Sequence, residues 1–402
     1  MVGSGPAGLM AATVLARAGH RVRLLEKKRG AGRKLLIAGS SGLNITYECA
    51  SVDELARHYG ESAGRLRSAL RGFTPADWRA FIEESLGIGT FLGTSRRYFV
   101  KGMKAPELLK AWASELRRLG VSLETDAELT GFEPMSQGGI RIATASASGE
   151  TGGSAVDALI LCLGGGSWEP SEKPLRWPAM LAERGVEVRA FRSSNCGFRV
   201  AWPAGLLSEA EGRSIKNVVL RSPRGERSGD LVITSYGIEG TPVYFAGESG
   251  PSTLDLKPDL SEAQLLERLR AVKKNLSPMR LVQRQLKLSD GARALVFHLA
   301  PAEDRTDLAK LARLLKAFPL ELGARQPLDE AISSSGGVAW SELDDSLMLR
   351  RYPGVFAAGE MIDWDAPTGG FLIQACVSLG YAAARGALAL LEARGRAGPL
   401  FV

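Results

Sequence analysis

Gly3-Ser4-Gly5-Pro6-Ala7-Gly8 runs into Leu9–Ala18, closed by Gly19, and then into Arg21-Val22-Arg23-Leu24-Leu25-Glu26, and the reading of this stretch decides the fold. The hexapeptide fits a Gly-x-Gly-x-x-Gly turn, the Ala- and Leu-rich stretch behind it reads as a helix, and the apolar run that follows reads as a parallel strand ending in an acid. Each glycine answers a separate need. The first permits the tight turn, the second lets the backbone approach a pyrophosphate, and the third lets helix and strand pack closely, while the free amides at the helix start receive negative charge. A carboxylate at Glu26 is placed to accept from ribose hydroxyls, so turn, helix, strand and terminal acid together predict a dinucleotide cradle. A bare strand–helix turn with a surface Glu26 is the plainer alternative. Only Met1 and Val2 precede Gly3, where a strand of about five residues is expected. The sequence therefore points to a misassigned start or a truncated first strand.

Outward from this turn the α/β rhythm continues. Lys101–Leu119 reads as a helix, Val121–Thr125 and Ile140–Thr144 as strands, and 146–154, rich in Gly and Ser, as a loop. Ala158–Leu163 is a continuous apolar run emptying into Gly164-Gly165-Gly166, the pattern of a buried parallel strand with a ligand-accessible turn. From about 186 to 255 short alternating segments, Val218–Leu220, Leu231–Thr234 and Pro242–Phe245, predict antiparallel β-structure. Ser261 with Gln264 forms a capping box that opens a helical stretch through about 317, its last helix starting at Thr306. The α/β pattern then resumes with a strand at Gly354–Ala358, a turn at Gly359-Glu360, and a long helix from Phe371 to about Arg394 entered through Gly369-Gly370. The expected organisation is a discontinuous nucleotide-binding body, 1–180 with 341–402, interrupted by a β-rich insert, 181–260 with 318–340, that itself carries a helical insert, 261–317.

Composition narrows the function. At 402 residues, 45% hydrophobic and 24% charged, the chain has globular values and two or three domains' worth of length. Four cysteines, Cys49, Cys162, Cys196 and Cys376, lie far apart without a Cys-x-x-Cys pair, and there are three histidines, His20, His58 and His298, so no metal centre is expected. Cys162 and Cys376 read as small core residues and His298 as a structural imidazole. No uninterrupted apolar run reaches 18 residues and the start lacks a secretory pattern, which predicts a cytoplasmic protein that does not span a membrane. The net charge of +7, spread along the chain, reads first as solvated surface.

These segments together resemble the flavoprotein family of YhiN- and BaiN-like proteins, which implies an FAD-dependent or NAD(P)-linked oxidoreductase. The motifs that carry the resemblance are Gly3–Gly8 with Glu26; Gly32-Arg33-Lys34-Leu35-Leu36-Ile37-Ala38-Gly39 leading to Asn44; Leu163-Gly164-Gly165-Gly166-Ser167-Trp168; Ser335-Gly336-Gly337-Val338; and Gly359-Glu360-Met361-Ile362-Asp363 leading to Gly369-Gly370. The resemblance implies an α/β fold in which a Rossmann-like FAD-binding domain is interrupted by a β-barrel-like domain with a helical insert. Two departures stand out: Ser40-Ser41-Gly42-Leu43-Asn44 replaces the family's Gly-Gly-Arg-Cys-Asn, and Glu169-Pro170-Ser171-Glu172-Lys173 follows Trp168 where a Pro and a Gly-rich turn are usual.

By the same resemblance Gly3, Ser4, Gly5, Ala7 and Gly8 hold the pyrophosphate, Glu26 the adenosine ribose, and Arg33 and Lys34 the adenosine–phosphate side. Gly39 and Asn44 lie nearer the flavin, Gly164 and Gly165 against the nucleotide, and Gly359, Asp363, Gly370, Phe371, Leu372 and Ile373 along the ribityl chain and ring. For Arg33 and Lys34 a solvated basic turn, and for Asp363 a helix-entry cap, are the plainer alternatives. Ser333–Gly337 is read either as bordering the substrate side or as a plain turn. The cofactor carries the electron chemistry and the protein orients it, so no catalytic side chain is nominated. No second strand–glycine–helix unit is read, so NAD(P)H is expected only as a transient donor and the substrate as a small molecule. Two other functions compete: an RNA-modifying flavoenzyme, with Lys273, Lys274, Arg280, Arg284 and Lys287 near phosphates but without aromatic residues for base stacking, and a non-catalytic nucleotide sensor.

Overall fold

A computed structural model describes residues 1–39, 42–170, 174–271 and 276–396. It divides into two compact units, Met1–Arg192 with Ser334–Val402, and Ser193–Ser333. Each has its own apolar core.

The first unit is built on a parallel sheet. Helix α1 (Pro6–Arg17) follows the glycine turn, strand β1 (Arg23–Glu26) follows α1, and helix α2 (Arg33–Ala38) and strand β2 (Asn44–Tyr47) come next. β1 pairs in parallel with Ser122–Thr125, and Leu159–Leu161 pairs in parallel with Val355–Ala357. Met1–Gly3 joins these two pairs into one sheet. Val2 N donates to the Ile160 carbonyl (3.0 Å) and Cys162 N to the Val2 carbonyl (2.8 Å) on one side, while Gly3 N donates to Leu25 (2.7 Å) and Leu25 N to Met1 (2.9 Å) on the other. A segment bonded along both edges holds its place with few residues. The central strands are apolar and buried, Leu24 and Leu161 fully so, whereas Ser122–Thr125 at the edge is polar and mostly exposed.

The helix Phe371–Arg396 lies against α1, and small residues set the closeness of that crossing. A Cβ on Gly380 would come 2.2 Å from the Ala7 carbonyl oxygen. Within Phe371–Gly395 the chain is long and apolar enough to cross a membrane, and 67% of its most apolar window is buried inside the protein. The helix from Lys101 is shorter than expected: Lys104 is extended, and the helix proper is Ala105–Arg118, with Pro106 in its first turn. The expected loop at 146–154 is corrected as well. Thr151–Val156 is the third strand of an antiparallel meander with Glu128–Pro134 and Ile140–Ala145, and Gly152-Gly153, which blurs any alternation, lies inside it.

In the second unit six antiparallel strands follow the order Phe198–Arg199, Gly237–Glu239, Gly225–Thr234, Ser214–Ser222, Gly250–Asp255, Phe318–Leu322. The sheet closes on itself, since Arg199 N donates to Ala324 (2.8 Å), Gly323 N to Arg199 (2.8 Å) and Gln326 N to Gly197 (2.9 Å). Closure removes the edges, which is the physical meaning of a barrel. Four helices, Glu262–Arg270, Pro278–Leu286, Asp290–Leu299 and Leu308–Lys316, are inserted between its last two strands. The Ser261–Gln264 capping box is present; the last helix is capped by Asp307, one residue beyond the expected Thr306. Pro242–Phe245, expected as a strand, is the helix Thr241–Ala246, entered from Gly240 with Pro242 in its first turn and left through Gly247 at φ +72°.

Candidate dinucleotide-binding site

The carboxyl ends of β1, Met1–Gly3 and Leu159–Leu161 lie side by side, and the glycine turn sits at the middle one. Gly3 has φ +97°, and a Cβ there would stand 2.1 Å from the Cys162 carbonyl oxygen, so the turn admits only glycine. Gly8, in the first turn of α1, faces inward: its Cβ would meet the Gly3 oxygen at 1.8 Å. Gly5 is different. It is the N-cap of α1 with an ordinary extended backbone, no side chain caps the helix, and a Cβ there would meet nothing within 4 Å. Free amides of a twelve-residue helix thus open toward clear space, the arrangement an anionic diphosphate needs. Ala7 is buried beneath this face against the Phe371–Arg396 helix and Gly359, whose φ is +81°.

Glu26 closes the β1 side. Its carboxylate accepts from Ser4 N (3.0 Å), from the Ser4 hydroxyl and from Lys28 N (2.9 Å), and Ser4 Oγ accepts in turn from Gly32 N (3.0 Å). One acid therefore ties the turn to the start of α2. Arg33 Nη1 donates to the Trp168 carbonyl (3.0 Å) and Lys34 Nζ to the Gly165 carbonyl (2.6 Å). Burial pushes the Lys34 ammonium down, against the raising influence of Glu360 and Glu169. Gly164, at φ +76°, has only Lys34 Nζ near its Cβ position, at 3.6 Å, whereas Gly165 is hemmed in by the Ser334 hydroxyl and the Glu360 side chain.

The remaining implied residues divide. Gly39 closes α2 and presses on Ala105, its Cβ position 2.4 Å from that methyl. Asn44 opens β2, and its Oδ1 is buried without a hydrogen-bond partner, as are Thr46 Oγ1 and Ser167 Oγ. Asp363 is engaged within the first unit, Oδ1 accepting from Gly336 N (3.0 Å) and Oδ2 from Arg189 (2.7 Å). Gly370 packs on β2, where a Cβ would stand 2.7 Å from Thr46 N; Phe371 is buried and stacks on Tyr47, while Leu372 and Ile373 are half-buried.

Two carboxylates were not nominated by the sequence. Glu360 touches the Gly165 turn and accepts from Ser334 N (3.3 Å), and Glu169 lies among four cations. The Gly-Glu turn after an apolar strand was the signal available for the first. Cys162 and Cys376 are buried, and burial pushes the Cys162 thiol up to about 12, as core residues require. Among the described residues no group of His, Cys, Asp and Glu is arranged to hold a metal. His298 pairs with Glu209 at 3.0 Å within the second unit. Lys273 and Lys274 lie outside the described residues.

The residues present fit FAD on three observations: the uncapped, open amino end at Gly5, the glycine-only turn at Gly3, and the orphaned polar atoms at Asn44 and Ser167. Fold and site together are those of an FAD-dependent oxidoreductase with a Rossmann-type domain. The chain belongs to the HI0933-like family, whose Rossmann-domain model matches residues 1–386. It is similar to the 3-dehydro-bile acid delta(4,6)-reductase of Clostridium scindens, 24% identical over 96% of this chain and 98% of that one. It is also similar to the ribosomal RNA dihydrouridine synthase of Escherichia coli, 23% identical over 97% of each. Among solved structures the fold resembles the 3-ketosteroid delta1-dehydrogenase of Sterolibacterium denitrificans (TM-score 0.55, 11% identity, 96% of this chain and 98% of that one). The E. coli quinol fumarate reductase subunit FrdA is a further likeness (TM-score 0.51, 14% identity, 98% and 72%).

Proposed function

We propose that this chain reduces a carbon–carbon double bond conjugated to a carbonyl group, with FAD lying across the ends of Leu159–Leu161, Met1–Gly3 and β1. The observation that supports the cofactor's placement is the open face at Gly5. The substrate class rests on the two curated relatives. A delta(4,6)-reductase of a 3-dehydro steroid and an enzyme that makes dihydrouridine both saturate a C=C bond next to a carbonyl.

FAD supplies hydride transfer when bound. The protein's own part is to hold it. The α1 amides and Gly3–Gly8 take the diphosphate, Glu26 accepts from the adenosine ribose, Arg33 and Lys34 stand on the phosphate side, and Asn44 Oδ1 and Ser167 Oγ offer unpaired polar atoms along the cradle. Electrons come from NAD(P)H as a visiting donor, since only one strand–glycine–helix unit occurs among the described residues. FAD binding is assigned to the body 1–180 with 341–402, and the reaction to the cytoplasm.

The bile-acid-like reading takes a small planar enone. A second reading, uracil within RNA, is favoured by the similarity to the E. coli synthase, with exposed Arg280, Arg284 and Lys287 as phosphate contacts. The experiment is anaerobic. The purified protein is reduced with NADPH and mixed with a 4-en-3-one steroid, or with uridine-containing RNA, and the products are examined by mass spectrometry. Gain of two hydrogens by either substrate supports the reading and chooses between its forms; flavin that stays reduced with both refutes the substrate class.

A further inference from the structure

Glu169 stands where this chain departs from the family pattern, and its surroundings are unlike those of any other acid among the described residues. Its carboxylate is only 9% exposed and lies 3.2 Å from Lys27 Nζ, 3.7 Å from Lys28 Nζ, 3.9 Å from Arg33 Nη1 and 4.0 Å from Lys34 Nζ. Burial opposes its charge, but Lys27, Lys34 and Lys28 outweigh burial and hold the carboxyl below its ordinary range. Such a ring of ammonium and guanidinium groups suits a phosphate as well as a carboxylate.

The topology says what the contact crosses. Glu169 arrives from the turn after Leu159–Leu161, whereas Lys27 and Lys28 directly follow β1. Met1–Gly3 lies between those strands, hydrogen-bonded to both. The segment Trp168-Glu169, its Trp168 carbonyl also held by Arg33 Nη1, therefore bridges the two strands that flank the glycine turn. A dinucleotide running from the open amides at Gly5 toward Glu26 brings its phosphates to the same cations.

We infer that Glu169 is a tethered anion that competes with the dinucleotide's phosphates for Lys27, Lys28, Arg33 and Lys34, and so sets how tightly the cofactor is held. The inference rests on FAD occupying this cradle. Binding replaces the carboxylate by phosphate at the cations, and the released carboxylate returns to water; no covalent step is involved. The residue acts on cofactor affinity and is not catalytic.

The test titrates apo-protein with FAD by flavin fluorescence and with ADP by calorimetry, at about 50 mM and about 500 mM salt. Wild type is compared with Glu169→Gln, which keeps the side chain's shape, with Glu169→Ala, and with Glu392→Gln as a control. That control removes the same charge from near the far end of the 26-residue terminal helix, roughly 30 Å along it. Both Glu169 variants are expected to bind FAD and ADP about tenfold more tightly at low salt, equivalent to about 1.4 kcal/mol, with the gap narrowing at high salt and the control unchanged. Equal or weaker binding by the Glu169 variants, with wild type binding normally, overturns the inference: the acid is then a latch or a bystander. A gain matched by Glu392→Gln also overturns it, because net charge alone then explains the effect. A wild-type protein that takes up neither FAD nor ADP removes the cofactor assignment itself.

Discussion

Gly5→Ala and Gly8→Ala make the same chemical change three residues apart and should fail in opposite ways. At Gly8 the new methyl carbon would stand 1.8 Å from the Gly3 carbonyl oxygen and 3.4 Å from Cys162 Cβ, so α1 and Met1–Gly3 must separate by more than 1 Å in a region buried on both sides. Overpacking of that kind costs about 1–3 kcal/mol or more, against about 1 kcal/mol gained by alanine over glycine in a helix. At about 2–4 °C per kcal/mol for units of this size, apo Gly8→Ala should melt several degrees below wild type. At Gly5 the methyl meets nothing, and the N-cap's extended backbone suits any residue, so apo Gly5→Ala should lose at most about 1 kcal/mol. Its methyl instead fills the space a diphosphate needs. Losing one hydrogen bond to a charged group, about 1.5–3 kcal/mol, weakens FAD by roughly 10- to 150-fold. Calorimetric melting of both apo variants and equilibrium dialysis with FAD separate the two effects. FAD affinity unchanged in folded Gly5→Ala would put the dinucleotide elsewhere, and a wild-type melting point for Gly8→Ala would refute the packing of α1.

Glu26→Ala removes the acceptor for Ser4 N and Lys28 N together with the proposed ribose acceptor, and dialysis should show FAD weakened by about 1–3 kcal/mol. Cys162, with its thiol raised to about 12 by burial, and buried Cys376 should resist alkylation at pH 8 in the native protein and react only on unfolding, as peptide mapping would report. Glu115, held below the ordinary carboxylate range by Arg118 and Arg17 despite burial, is stabilising above its unfolded pKa, and that contribution is lost as pH falls through its depressed value. The melting gap between wild type and Glu115→Gln should therefore be present at pH 7 and close below about pH 4.

The sequence was most legible where local chemistry and tertiary position agree. α1, β1, Leu159–Leu161, Val355–Ala357 and the terminal helix are centred on apolar runs bounded by glycine or acid, and the hydrophobic pattern finds them. Between β1 and Ala105 nothing comparable guides the eye. Asn44–Tyr47, Thr90–Leu92 and Arg97–Val100 are strands of three or four residues, too short for alternation to declare itself, and they gain their order from pairing with one another. Thr241–Ala246 was lost differently. Its Val-Tyr-Phe core has strand propensity, and the deciding signals were the proline in its first turn and the glycines on either side.

The same limit governs the site. A glycine in a motif states that a side chain is excluded, but not whether protein or ligand excludes it. Gly3 and Gly8 are closed by the chain itself, Gly165 by Ser334 and Glu360, Gly359 by Ala7, and Gly370 by the backbone of Thr46. A carboxylate placed at 370 to perturb the flavin would therefore break the seating of the terminal helix on β2 first. Gly5, and beside it Gly164 with only Lys34 near, face open space. The two are carried by the turns after Met1–Gly3 and Leu159–Leu161, strands that neighbour each other in the sheet. A dinucleotide laid across the ends of those strands meets bare backbone at both, and the other glycines are what lets the helices and strands come close enough to hold those two in place.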